Sequence, residues 1–166
     1  MKIKVILGSL FILAILIVAL AQFYHSMEAP VWAEDDQAVT IAYQKTILAK
    51  AVKVDSFIGD QSYKIIFGED AIGQPIIVWV SAAEIHTEYT ADGITEKALR
   101  AKFKLKEPTA KLMRIVPGKL QNEFVWELYY KKADANGQQH YYYDYNKFSD
   151  GSLLDTYSLG NGKYGI

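Results

Sequence analysis

The sequence predicts an α+β protein: an N-terminal transmembrane helix followed by two small units, each a helix packed on an antiparallel sheet of three or four strands. Three observations predict this. An uncharged apolar run opens the chain. Beyond it, a helical apolar period gives way twice to short strand-like runs broken by Gly and Asp turns. The Gly73-Gln74 and Gly137-Gln138 pairs lie 64 positions apart in similar surroundings, the mark of an internal repeat.

Residues 1–24 read as a cytoplasmic start and a membrane span. Val5 to Ala21 (VILGSLFILAILIVALA) carries no charge. Gln22, Phe23 and Tyr24 extend it to the roughly 20 residues that cross a bilayer, with the two rings at headgroup level. Lys2 and Lys4 precede the run, and Glu28, Glu34, Asp35 and Asp36 follow it. The positive-inside rule then leaves the N-terminus in the cytoplasm and the rest outside. Ala19-Leu20-Ala21 also fits a signal-peptide cleavage site, while the length of the run favours a retained anchor. Either way the remainder is extracytoplasmic.

Residues 25–32 (HSMEAPVW) form a linker, and the first unit spans 33–84. Glu34, Asp35 and Asp36 suit a helix N-terminus, where the macrodipole favours negative charge. Ala38, Ile41, Ala42, Leu48, Ala49 and Val52 follow helical spacing, which predicts a helix over 34–51. Strands are expected at Val52 to Ile58, Ser62 to Phe67 and Pro75 to Ser81, divided by turns at Gly59-Asp60-Gln61 and Gly68 to Gln74.

The second unit, 85–166, begins with helix signals at Asp92, Thr95 and Glu96 and an apolar stripe of Ile94, Ala98, Ala101 and Leu105; Pro108 ends it. Strands follow at Lys111 to Val116, Glu123 to Lys131, Gln139 to Lys147 and Leu153 to Ser158. Asn136-Gly137 predicts a type I′ hairpin, because both residues tolerate positive φ. Units this small are marginal alone, so the two are expected to pack together.

Composition narrows the function. The chain of 166 residues is 51% hydrophobic, which supports a packed core. Its net charge is −1, with Lys2 and Lys4 before the apolar run, so the outer part is net acidic and lacks the basic stripe of a nucleic-acid binder. With no cysteine, disulfides, thiol nucleophiles and zinc–thiolate sites are excluded. His25, His86 and His140 have no metal-ligand spacing, and no G-x-S-x-G or S-x-x-K signature occurs. Asp134-Ala-Asn136-Gly137 resembles part of a calcium loop, but Lys132 takes the first ligand position and no glutamate closes it, so a turn explains it better. No catalytic, cofactor or metal residue is assigned.

The tyrosine-rich run 139–147 is the most informative local feature. Strand alternation puts Tyr141, Tyr143 and Tyr145 on one face and His140, Tyr142 and Asp144 on the other. One face packs beneath a helix. An uncovered aromatic face would suit a partner, since tyrosine is enriched at interfaces. His140, Tyr142 and Asp144 are the candidate partner surface, and Trp79, Trp126 and Tyr143 are expected in the core.

Three segments carry a resemblance to a known family: FGEDAIGQPIIVWV (67–80), DGITEKALRAKF (92–103) and FVWELYYKKADANGQQHYYYDYNKFSDG (124–151). With the N-terminal run, the chain resembles the TseB-like (YpmB) family of cell wall elongation regulators of bacilli. The resemblance implies tandem PepSY/cystatin-like units and a non-enzymatic, membrane-anchored extracytoplasmic protein. It implies that a penicillin-binding transpeptidase is the partner, and it carries over no site residue. The alternative is a PepSY-type inhibitor or chaperone of an extracytoplasmic protease. A third reading, an enzyme acting on wall polymer, lacks a recognisable nucleophile.

Overall fold

A computed structural model describes residues 13–20, 22 and 34–159. Residues 13–20 and 22 are helical and exposed. The rest of the expected span, the linker 25–32 and His25 lie outside the described residues. No helix among the described residues is long and apolar enough to cross a membrane.

Helix α1 covers residues 34–45, shorter than the expected 34–51. Thr46 stops it. Its hydroxyl and its backbone N–H both donate to the Ala42 carbonyl, at 2.7 and 3.0 Å, and its Oγ1 then accepts from Leu48 N at 3.1 Å. Ala49 N already pairs with the Glu69 carbonyl, so the chain has turned into a sheet before the predicted stripe runs out. Val52, placed on that stripe, is 64% exposed on a strand.

The first sheet is an antiparallel meander of β1 (Lys50–Ile58), β2 (Ser62–Glu69), β3 (Pro75–Val80) and β4 (Ile85–Tyr89). Strand β4 pairs along β3, Trp79 opposite His86. The expected start of the second unit at residue 85 therefore falls inside the first sheet. Period-2 alternation hides in IHTEY because all five residues are half-buried.

After a 3₁₀ turn at Thr90–Asp92, α2 (Glu96–Lys106) begins with Thr95 as N-cap, its hydroxyl accepting from Ala98 N at 3.2 Å. The buried residues are Leu99 and Phe103, not the predicted stripe: Leu105 is 86% exposed, and Ala98 and Ala101 are exposed too. Leu and Phe at i, i+4 bury more area than two alanines and a leucine spread over three turns. The second sheet is again a meander: β5 (Lys111–Leu120), β6 (Glu123–Ala133), β7 (Gln139–Lys147) and β8 (Leu153–Leu159). Pro117 sits within β5, tolerable because β5 is an edge strand.

Phe57, Tyr63, Ile65, Ile77 and Trp79 of the first sheet share one core with Leu99 and Phe103 of α2 and Val116, Val125, Trp126, Leu128 and Tyr145 of the second. The two sheets thus pack on each other, as expected of units too small to stand alone. Ile66 and Val78 alternate onto the opposite face of the first sheet and are buried there. Leu48 covers that face, seated so close to Gly68 that a Cβ would lie 2.3 Å from Leu48 Cδ1.

The repeat is visible in two loops of like sequence. In DAIGQ, Asp70 Oδ1 accepts from Ile72 N and Gln74 N, Gly73 N bonds the Asp70 carbonyl, and Gly73 has φ 81°. In DANGQ, Asp134 Oδ1 accepts from Asn136 N and Gln138 N, Gly137 N bonds the Asp134 carbonyl, and Gly137 has φ 80°. Only the glycine is left-handed, so Asn136-Gly137 is not the predicted type I′ pair: the aspartate carboxylate organises a longer turn instead. Consecutive positive φ values, 49° and 67°, occur at Gln121 and Asn122 in the β5–β6 hairpin.

Candidate interaction site

The two faces of β7 have different covers. Tyr142 and Asp144 point toward α2, while Tyr141, Tyr143 and Tyr145 point away. On the α2 side Tyr142 stacks on Tyr130 at 5.3 Å, and Tyr130 meets Phe103 of α2 edge-on at 4.9 Å. Asp144, expected on an open face, is 2% exposed. Its Oδ2 accepts from Lys106 Nζ at 3.1 Å, and its Oδ1 accepts from Tyr130 OH at 3.2 Å and Thr156 Oγ1 at 2.8 Å. A buried carboxylate costs far less when such donors surround it.

A cleft of about 330 Å³ opens beside this carboxylate, between the C-terminal end of α2 and strands β6 to β8. Tyr142, Asp144, Lys106, Lys132 and Asp134 line it. Lys132 Nζ donates to Glu107 Oε2 at 2.6 Å, which raises the lysine pKa. At the rim His140 Nε2 lies 3.1 Å from Asp134 Oδ2. The Gln138 backbone N–H, followed by His140, holds Asp134 below the usual carboxylate range. Burial, reinforced by Asp144, pushes the Tyr130 hydroxyl pKa up, so it stays a donor.

On the other face the same strand meets the first sheet. Tyr145 contacts Phe57 of β1 edge-on at 6.4 Å, and its hydroxyl donates to the buried Glu127 at 3.2 Å. Burial raises the Glu127 carboxyl pKa. Farther along, Tyr143 and Tyr141 stack on Tyr129 at 4.7 and 5.9 Å and stay partly or fully accessible. The accessible aromatic row is therefore Tyr129, Tyr141 and Tyr143, on the face opposite the one expected. Tyr143, expected in the core, is half-buried; Trp79 and Trp126 are core residues, at 0% and 1% exposure.

Tyr142 and Asp144 do fall together, as wall and floor of a cleft, and His140 adjoins it only through Asp134. Sequence inspection missed Lys106 and Lys132, which approach from α2 and the neighbouring strand. Spacings of 38 residues from Lys106 to Asp144 and 25 from Glu107 to Lys132 leave no local signature. Among the described residues no group of three or more His or acidic side chains converges as a metal site would require.

Tandem helix-on-sheet units with one shared core and a polar cleft over the second sheet define the class of this protein. The TseB-like domain of cell wall elongation regulators matches residues 37–81, from α1 through β3. The probable cell wall elongation regulator TseB of Bacillus subtilis (strain 168) is 31% identical over 153 residues, covering 90% of this chain and 91% of that protein. The solved structure of the YpmB protein from Bacillus subtilis aligns with a TM-score of 0.64 at 26% identity, over 74% of this chain and 95% of that one. The chain belongs to the TseB-like family of cell wall elongation regulators.

Proposed function

We propose that this protein is a non-enzymatic, membrane-anchored regulator that binds a penicillin-binding transpeptidase on the outer face of the cell membrane. The observation that carries this reading is kinship with an elongation regulator along nine-tenths of the chain. The apolar run Val5 to Ala21, with Lys2 and Lys4 before it, supports an anchor whose N-terminus is cytoplasmic. A tether in the same bilayer raises the effective concentration of the partner, so a weak contact suffices. The contact falls on the rim of the α2–β7 cleft, at His140 and Tyr142, with Asp144 buried beneath as their support.

The test is a photo-crosslinking residue at position 142 of the full chain in growing cells, with strains lacking the protein as a second readout. Recovery of a transpeptidase, together with altered cell length or β-lactam response on deletion, is expected. Recovery of an extracytoplasmic protease, or an unchanged deletion strain, would overturn the proposal.

A further inference from the structure

Asn146 of β7 is 8% exposed, and its Oδ1 accepts no hydrogen bond from the protein. The amide cannot turn over to relieve this. Its Nδ2 donates to the Gly151 carbonyl at 3.2 Å, and Oδ1 in that place would face another acceptor. Native proteins pair nearly all their buried polar atoms, so a buried acceptor held in this way is poised to receive a donor.

Asn146 lines a cavity of about 120 Å³ between α2 and strands β6 to β8, separate from the polar cleft. Leu99 and Phe103 of α2, Leu128 of β6 and Leu153 of β8 supply its apolar walls. The first three are at most 5% exposed, whereas Leu153 is 48% exposed and borders the opening. Lys102, Lys106 and Asp144 complete the charged lining, two ammonium groups against one carboxylate. Lys106 Nζ serves Asp144, but Lys102 Nζ donates to the neutral Gly151 carbonyl at 2.7 Å. The polar cleft has the opposite balance, with Glu107, Asp134 and Asp144 against Lys106 and Lys132.

We propose that this cavity binds an acylated aliphatic amino acid with a free carboxylate, the chemistry of a peptide C-terminus. Each part of the lining selects one part of the ligand. The walls take a branched aliphatic side chain, in a volume close to the roughly 150 Å³ that holds a benzene-sized molecule. Asn146 Oδ1 takes the amide N–H, which gives the buried acceptor its donor. The carboxylate stays near the opening, where the surplus ammonium of Lys102 attracts it. A free ammonium ligand is disfavoured, because the lining already carries the greater share of positive charge. The site lies apart from His140 and Tyr142, so it does not depend on which protein they contact.

The test titrates N-acetylleucine, and acetyl-Ala-Ala-Leu with a free carboxylate, into the isotope-labelled full chain in detergent micelles. Saturable shifts are expected at the Asn146 side-chain amide and at the Leu99, Leu128 and Leu153 methyl groups. A ligand of about twelve heavy atoms should bind with a dissociation constant on the order of 1 mM. Converting the carboxylate to its amide should weaken binding at least about tenfold. Methylating the leucine nitrogen, which removes the donor, should do the same. Lys102→Met should weaken the free acid about two- to fivefold, and Lys102→Arg should not, while circular dichroism of each variant confirms the fold. Tighter binding of the tripeptide would identify a peptide terminus as the source, and equal binding a small acylated amino acid. Absence of shifts at these four residues would mean that the cavity holds water only and would overturn the proposal. Equal affinity for the acid, its amide and the N-methyl compound would overturn it too.

Discussion

Lys106 Nζ lies 3.1 Å from Asp144 Oδ2, the lysine side chain half exposed and the aspartate 2% exposed. This pair ties the C-terminal end of α2 to the middle of β7, and it makes one wall of the cleft. The consequence is an asymmetry between the partners. Lys106 stays half open to water, whereas Asp144 depends on what surrounds it.

Lys106→Met should therefore destabilise the fold by about 1–3 kcal/mol, since Tyr130 and Thr156 still donate to the carboxylate. Adding Asp144→Asn should recover part of the loss, because the uncompensated charge is then gone. Denaturant melts of the two single variants and the double variant check this. Strict additivity would contradict the coupling.

Gly118 touches the ring of Phe57, and a Cβ there would lie 2.3 Å from Phe57 Cδ2. Gly118→Ala forces one of the two sheets to shift. A loss of about 1–3 kcal/mol is expected. Phe57→Leu in the Gly118→Ala background should return some of it by vacating the ring volume. Thermal unfolding of the four-member cycle provides the measurement.

Gly73 and Gly137 have φ values of 81° and 80°, and nothing lies within 4 Å of a Cβ added at either. Alanine at each site meets backbone strain alone, about 1–2 kcal/mol. The prediction is equality: both substitutions should cost the same within error. Unequal losses would show that the two DA-x-GQ turns are not mechanically equivalent.

Glu84 joins the sheets. Its carboxylate accepts from Lys119 Nζ at 2.7 and 2.8 Å and from Tyr63 OH at 2.5 Å. The Lys119 hydrogen bond, then that of Tyr63, lowers the Glu84 pKa from its ordinary 4.5. Stability from this group is present above 4.5 and is lost as pH falls through the depressed folded value. Burial, then Glu84, pushes Tyr63 up to about 12, so its contribution is present below its ordinary 10 and fades as pH rises through about 12. The stability gap between wild type and Glu84→Gln should be widest near neutrality and close in acid. A gap independent of pH below 4.5 would refute the assignment.

Seven of the eight strands were legible because each is a short apolar or alternating run between turn residues, a local property. Strand β4 was not, since IHTEY owes its place to the edge offered by β3. The α2 stripe misled for a similar reason: Ala98, Ala101 and Leu105 share helical spacing with Ile94, but the surface beneath the helix accepts Leu99 and Phe103. Trp79 and Trp126 were recognisable as core from size and setting, whereas the face that Tyr142 presents was not. Strand alternation divides β7 into two faces and is silent on which one a helix covers.

By itself, then, the sequence determined the α+β class, the twofold repeat, the positions of the turns at Gly68 to Gln74 and at Asn136-Gly137, and the absence of cysteine chemistry. These follow from period, spacing and composition. Tertiary structure alone decided that Asp144 is a cleft floor rather than a surface group. It also decided that the open tyrosine row is Tyr129, Tyr141 and Tyr143 and that β8 is an exposed edge strand. Each of those depends on which elements become neighbours, and that is fixed by burial summed over the whole chain rather than by any local stretch.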